Sequence, residues 1–305
     1  MIEDELARLD PLPIPIEIVH SGEVVGMDEP AVTPLRRKRG ASVRVCAELV
    51  KAERARAMVT AGNTGAAMAA AVVVMGTLEG VDRPALAAVV PTIPGGRCVL
   101  LDVGANVSTK ARHLRQFAVM GHFYAQEVLG TPRPRVGLLS VGEEEGKGNE
   151  LTREVYRVLE STGLNFLGNV EGHDVFNGEA DVVVCDGFVG NVVLKSSEAL
   201  ARMIFEGLHD ELAASFRTRI GARLALPALS RLRDRTDPDQ YGAAPLLGVQ
   251  GGCFIGHGSS SAEGIRNAVR AAAGFCQARV DEKIRQKVEE MHREEEALLW
   301  GEMHE

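Results

Sequence analysis

The chain reads as an α/β protein with a mainly parallel, doubly wound sheet, and three observations predict it. Short apolar runs alternate with stretches of helical periodicity from residue 14 onward. The runs are apolar enough to be strands covered on both faces. Four of them end in turns that place glycine beside an Asn, Asp or Thr.

The predicted strands are residues 57–60, 85–90, 98–102, 136–140, 165–167 and 180–186. Helical periods lie between most of them, at 43–54, 64–75, 111–129 and 151–159. From 196 to 235 the pattern becomes one long helical stretch with Phe205, Leu208, Leu212, Phe216, Ile220 and Leu224 near a four-residue period. Pro227 is expected to break it into a hairpin. Leu224, Leu226, Leu229 and Leu232 then form a leucine-rich tip among arginines, suited to an anionic bilayer or to a dimer interface. The core resumes at 241–249, with a strand-like 252–255 and closing helices at 262–278 and 281–300. This divides the chain into a core at 1–195, a hairpin at 196–240 and a completing segment at 241–305.

With 305 residues and 45% hydrophobic content the chain can bury a full core. A net charge of -8 argues against nucleic acid as a partner, because phosphate neutralisation needs a surplus of Lys and Arg. An acidic partner must instead meet a local basic patch, and two stand out: Arg36-Arg37-Lys38-Arg39, and Arg217, Arg219, Arg223, Arg231, Arg233 and Arg235. Cys46, Cys98, Cys185, Cys253 and Cys276 form no Cys-x-x-Cys pair and read as reduced thiols. The start is acidic without an apolar signal segment, and no run approaches the roughly twenty apolar residues of a membrane span. The expectation is a cytoplasmic protein.

Ligands in such sheets collect beyond the carboxyl ends of strands. There the chain offers Asn63, Thr64 and Gly65; Asp102, Gly104 and Asn106; Gly146, Lys147, Gly148 and Asn149; and Asp186, Gly187 and Asn191. One such turn is ordinary helix capping. Four in equivalent positions point to a shared cleft. A lysine in a glycine-rich turn that opens a helix suggests phosphate chemistry. The turn is no P-loop, since only three residues separate Gly142 from Gly146 and Gly148 replaces the metal-binding hydroxyl.

Taken together, the segments 61–66, 82–86, 101–106, 142–150, 169–172, 186–195, 241–248 and 257–260 resemble the bacterial acyl-acyl carrier protein:phosphate acyltransferases of phospholipid synthesis. The resemblance implies a Rossmann-like sheet of the isocitrate and isopropylmalate dehydrogenase type. Two departures accompany it. The family's opening strand and its Asp-Ala-Met-Gly-Gly-Asp loop are missing before Ile14, and 251–256 is a glycine-rich stretch where a more regular β-branched strand is usual.

The implied reaction is attack of inorganic phosphate on the thioester of acyl-acyl carrier protein, giving acyl phosphate. Phosphate is nucleophilic at neutral pH, so alignment and charge stabilisation suffice, with no cofactor and no metal. Lys147, with the N–H groups of Gly146 and Gly148, is the expected holder of phosphate or of the carbonyl oxyanion. Asn149 and Asn191 are expected donors, and Asn63, Thr64 and Asn106 the rest of a polar wall. His257 is the expected proton donor to the departing thiolate, because histidine titrates near neutrality. The implied partners are acyl carrier protein, inorganic phosphate, a second copy in a homodimer and an anionic membrane met peripherally. Competing readings are a phosphotransacetylase-like enzyme acting on acyl-coenzyme A, a dehydrogenase of the isocitrate type, and an inactive membrane-associated interaction protein. No Gly-x-Gly-x-x-Gly fingerprint supports the dehydrogenase.

Overall fold

A computed structural model of the chain describes residues 2–8, 14–93 and 95–302. In chain order its elements are α1 (Ile2–Arg8), α2 (Thr33–Arg36), α3 (Ser42–Lys51), β1 (Ala57–Thr60), α4 (Thr64–Ala70) with a π-helical turn Ala71–Met75, β2 (Ala85–Pro91), β3 (Arg97–Leu101) and α5 (Ala111–Glu127). There follow β4 (Val136–Leu139), α6 (Glu150–Glu160), β5 (Phe166–Val170), α7 (Asp174–Asn177), β6 (Val182–Val184), α8 (Gly187–Ala213) and α9 (Phe216–Thr236). A 3-10 turn Pro238–Gln240 leads to β7 (Ala244–Leu247), β8 (Gly252–Ile255), α10 (Ala262–Gln277) and α11 (Val280–Glu302).

The strands form one sheet in the order β1-β8-β7-β2-β3-β6-β4-β5. Pairing is parallel for β1 with β8, β3 with β6, and β4 with both β6 and β5, as expected of a mainly parallel α/β sheet. Pairing is antiparallel for β2 with β3, β2 with β7, and β7 with β8. The links at 92–96 and 248–251 are too short for the crossover that parallel neighbours need, so the chain must turn back on itself there. Three reversals separate β8 from β3. The carboxyl ends of β1 and β8 therefore emerge at one edge of the sheet, and those of β3, β4, β5 and β6 at the other.

Side-chain alternation along the strands builds an apolar layer on each face. Val99, Leu101, Val182 and Val184 join one buried cluster with Phe117, Met120 and Tyr124 of α5. Cys98, Leu100 and Val183 join the other with Ala67, Ala70 and Val74. Gly121 lets α5 lie close to the sheet, because a Cβ there would stand 2.6 Å from Val182 Cγ1. Gly252 does the same between strands, where a Cβ would meet Ala57 Cβ at 2.7 Å. The glycine-rich run before His257 is thus a packing feature of the β1–β8 pair.

The hairpin differs from expectation. Helix α9 continues through Pro227, and the turn lies at Ala214 and Ser215 instead. Ser215 caps α9 by accepting from Thr218 N–H, while Thr218 Oγ1 accepts from Ser215 N–H. That reciprocal cap starts a helix more decisively than one proline ends it on an exposed arm, where water takes up the freed carbonyl. The four leucines consequently lie along the shaft of α9, about 12–25 Å from the turn at 1.5 Å per residue. Leu224 is 81% exposed and Leu229 half-buried, so they do not form a tip. Helix α8 runs unbroken across residues 195 and 196, so the hairpin grows out of a core helix. Among the described residues no helix is long and apolar enough to cross a membrane.

Candidate active site

Asp102 organises the loop after β3. Its Oδ1 accepts from the N–H groups of Leu86, Gly104 and Ala105 at 3.0, 3.2 and 3.0 Å. Its Oδ2 accepts from Asn106 N at 2.6 Å and Asn106 Nδ2 at 2.9 Å. The residue is fully buried, and burial pushes the carboxyl pKa up while those donors pull it down. Asn106 also donates to Pro84 O at 2.7 Å. Asp102 is thus wholly committed to the protein, and Asn106, expected in a polar wall, spends its Nδ2 on Asp102 and Pro84 and keeps only Oδ1 without a hydrogen-bond partner among the described residues.

The start of α8 locks against this loop. Asp186 caps the helix, accepting from Phe188 N–H and Val189 N–H. Gly187 N–H donates to Asn106 O. A Cβ at Gly187 would fall 2.5 Å from Asn106 O and 2.6 Å from Asp102 Oδ2, so only glycine fits. Asn191 is exposed one turn later, with Oδ1 3.5 Å from the Cβ position of Gly104, whose φ is +133°. The predicted turns at 102–106 and 186–191 therefore meet.

The Lys147 turn lies at the same edge, after β4. Lys147 is exposed, its N–H donates to Glu144 O, and its stem folds back over Gly142. Among the described residues it makes no ion pair. Asn149 caps α6, Oδ1 accepting from Thr152 N–H, which leaves its Nδ2 as a donor. Gly148 has φ +92° and lies directly over Ser140 Oγ and Thr152 Oγ1, whereas Gly146 stands in open space. Asn169, 5% exposed, ties the turn down from below by donating to Glu144 O at 2.8 Å. Helices α5, α6 and α8 all start from this edge, so their positive N-terminal ends converge beside an unpaired lysine.

The remaining candidates lie elsewhere. Asn63 caps α4 through Oδ1, and its Nδ2 donates to the carbonyls of Gly26, Met27 and Glu29. Gly65 packs against Ala31, and Thr64 is exposed. His257 Nδ1 accepts from Ser259 N–H at 3.2 Å, and His257 N–H donates to Ser260 Oγ at 3.1 Å. Both turns follow strands that run opposite to β3, β4 and β6. The expected single cleft is therefore two clusters at opposite edges: Lys147, Asn149, Asn191 and the Asp102 loop at one, and Asn63, Thr64, Gly65 and His257 at the other.

The sequence reading gave no site role to Arg83, which lies within the quoted segment 82–86, or to Lys110, which directly precedes the helical period 111–129. Arg83 precedes β2, which is antiparallel to β3, so it stands at the Lys147 edge and donates to Ser108 O at 3.1 Å. Lys110 opens α5, its N–H donating to His113 Nδ1 at 3.1 Å. The cysteine nearest the site, Cys185, lies with Sγ 3.6 Å from Asp102 O, and burial pushes its thiol well above the usual range. It is a core residue without the thiolate character of a nucleophile.

The family profile described as "Fatty acid synthesis protein" matches residues 1–283. A protein of Acidobacterium capsulatum named phosphate acyltransferase is 53% identical over 271 residues, covering 89% of this chain and 80% of that relative. One of Geotalea uraniireducens with the same name is 47% identical over 289 residues, covering 95% and 83%. Among solved structures, a phosphotransacetylase from Streptococcus pyogenes aligns with a TM-score of 0.52 at 19% identity, covering 77% of this chain and 66% of its own. The EutD phosphotransacetylase from Staphylococcus aureus aligns at 0.51 and 16% identity, covering 77% and 67%, and both establish a shared fold.

Proposed function

The chain belongs to the fatty acid synthesis protein family, and from that membership we propose that it transfers the acyl group of an acyl carrier protein thioester to inorganic phosphate, supplying acyl phosphate for phospholipid synthesis. The observation that carries the reading is Lys147: a cation without a carboxylate partner among the described residues, in the glycine turn that opens α6, at the edge of the sheet from which α5 and α8 also start. An oxygen of hydrogen phosphate attacks the thioester carbonyl, the carbon–sulfur bond breaks, and the departing sulfur takes up the proton that phosphate gives up, leaving as the thiol. Lys147 and the turn N–H groups stabilise the phosphate and the oxyanion, and Asn149 Nδ2 and Asn191 align them. Asp102 keeps the loop and helix α8 in register without touching substrate. His257 Nδ1 and the amide atoms of Asn63 serve their own turns at the opposite edge, while His257 Nε2 makes no hydrogen bond among the described residues.

Two interactions complete the proposal. The exposed stripe Leu200, Met203 and Ile204 of α8 packs against a second copy of the chain. Phe216, Ile220 and Leu224 of α9, interleaved with Arg217, Arg219 and Arg223, rest on an anionic membrane surface. Reversing the charges of Arg223 and Arg231 is expected to weaken flotation with anionic vesicles; unchanged partitioning rejects the membrane contact.

The reaction is tested by detecting acyl phosphate formed from acyl carrier protein thioester and phosphate, with acyl-coenzyme A as the alternative donor. Absence of phosphate-dependent thiol release from both thioesters overturns the assignment.

A further inference from the structure

We propose that Asn169 is a positioning residue for the acyl transfer: through one shared acceptor, Glu144 O, it fixes where the turn holds Lys147. The inference rests on the acyl-transfer reading above and deepens it by giving the lysine a support within the sheet.

Two donors meet on that carbonyl. Lys147 N–H reaches Glu144 O at 2.9 Å from within the turn, and Asn169 Nδ2 reaches it at 2.8 Å from the strand below. Anything that shifts Glu144 O therefore shifts the partner of the lysine's own N–H, and with it the base of the side chain.

A break in register aims Asn169 at the turn. Val136 pairs with Phe166 but Gly137 with Gly168, so β5 carries one extra residue, Leu167, as a bulge. Side chains alternate along a strand, so without that residue Asn169 would point to the opposite face of the sheet. With it, Asn169 pairs with Leu138 and shares that residue's face, where Val155 and Leu159 of α6 pack. Gly168 makes the bulge possible, with φ +101°.

The place is a costly one for an amide. Asn169 is 5% exposed, and its Oδ1 is buried without a hydrogen-bond partner among the described residues. An unpartnered buried polar atom destabilises a fold, so an apolar residue would serve packing alone better. What the amide provides is its hydrogen bond to Glu144 O. Ser140, just past β4, supplies the comparison: its Oγ is also buried beneath the turn, near Gly148, and has no partner among the described residues.

The test follows phosphate-dependent thiol release from acyl carrier protein thioester in Asn169→Ala, Lys147→Ala, the double variant and Ser140→Ala, with melting temperatures to check folding. Asn169→Ala is expected to lower kcat about tenfold and leave the thioester KM within about twofold of wild type, since misplacing a catalytic group costs rate rather than binding. In the Lys147→Ala background the same substitution is expected to change kcat less than about twofold, because a residue that acts through the lysine has nothing left to act on. Asn169→Asp keeps the shape without the N–H donors and is expected to lose at least as much as the alanine variant. Ser140→Ala is expected to keep the wild-type rate. Equal losses in both lysine backgrounds, a matching loss in Ser140→Ala, or wild-type rates in both Asn169 variants overturns the inference. Wild-type protein that releases no thiol, or a fully active Lys147→Ala, overturns the functional reading instead. Hydrogen exchange of residues 142–149 then decides the anchoring by itself: it is expected to speed up about tenfold in Asn169→Ala and not in Ser140→Ala, and equal exchange in the two refutes it.

Discussion

Asp102 Oδ2 takes two hydrogen bonds from one residue, Asn106, through its backbone N–H at 2.6 Å and its side-chain amide at 2.9 Å. With Oδ1 serving three more backbone donors, a single carboxylate organises the end of β3 and joins it to the start of β2. Asp102→Ala leaves four backbone N–H groups without that acceptor. It is expected to cost about 3 kcal/mol or more in chemical denaturation, since each stranded buried donor costs about 1–3 kcal/mol. A loss below about 1 kcal/mol refutes the organising role.

Glycine is required at 187 and not at 146. Gly187→Ala drives a methyl into Asn106 O and Asp102 Oδ2, and is expected to destabilise by about 2 kcal/mol or more. At Gly146 nothing lies within 4 Å of the added Cβ, and alanine is expected to stay within about 0.5 kcal/mol of wild type. Equal melting temperatures for the two variants contradict the packing of α8 on the Asp102 loop.

The two sheet edges predict unequal kinetics. Lys147→Ala is expected to lower kcat/KM about 100-fold, the loss of one oxyanion-stabilising group. His257→Gln is expected to change it less than about fivefold, because the ring serves its own turn. Steady-state assays of both variants decide the matter, and a larger loss at His257 moves the chemistry to the opposite edge.

Acid is expected to destabilise the fold through His113. The residue is 3% exposed; burial, then the positive charge of Arg83, lowers its pKa below the ordinary 6.5, and Nδ1 accepts from Lys110 N–H. Between the lowered folded value and the unfolded 6.5 the unfolded chain binds more protons, so stability is full above that window and falls as pH drops into it. His122, also lowered by burial, acts in the same direction. Melting temperatures from about pH 8 to about pH 5 are expected to fall less steeply in His113→Gln than in wild type. Parallel curves remove His113 from the effect.

Much of the fold is legible in the residues. The strands at 57–60 and 252–255 coincide with β1 and β8, and the apolar runs and helical periods place the other main elements to within a few residues, except for a later β5 and an earlier α8. Two of the three reversals follow links, 92–96 and 248–251, too short for crossovers, but the third pairs β2 with the distant β7 and has no local sign, and the four similar turns suggested one cleft. Capping chemistry hid the rest. Asn63, Asn106 and Asp186 are residue types that serve a helix start or a ligand equally well, and only their hydrogen-bond partners reveal which.

Local chemistry along the chain specified which segments are strands and helices, where glycine must stand, and that a lysine occupies a turn opening a helix, because these depend on neighbours within a few residues. Three-dimensional packing decided which turns meet. Strand direction in a mixed sheet is set by pairing between distant segments, and it brings Arg83 and Lys110 to the Lys147 edge while carrying His257 to the other. It also commits the Asp102 carboxylate and the Asn106 Nδ2 to the protein, because burial sets them against donors and acceptors of the same loop.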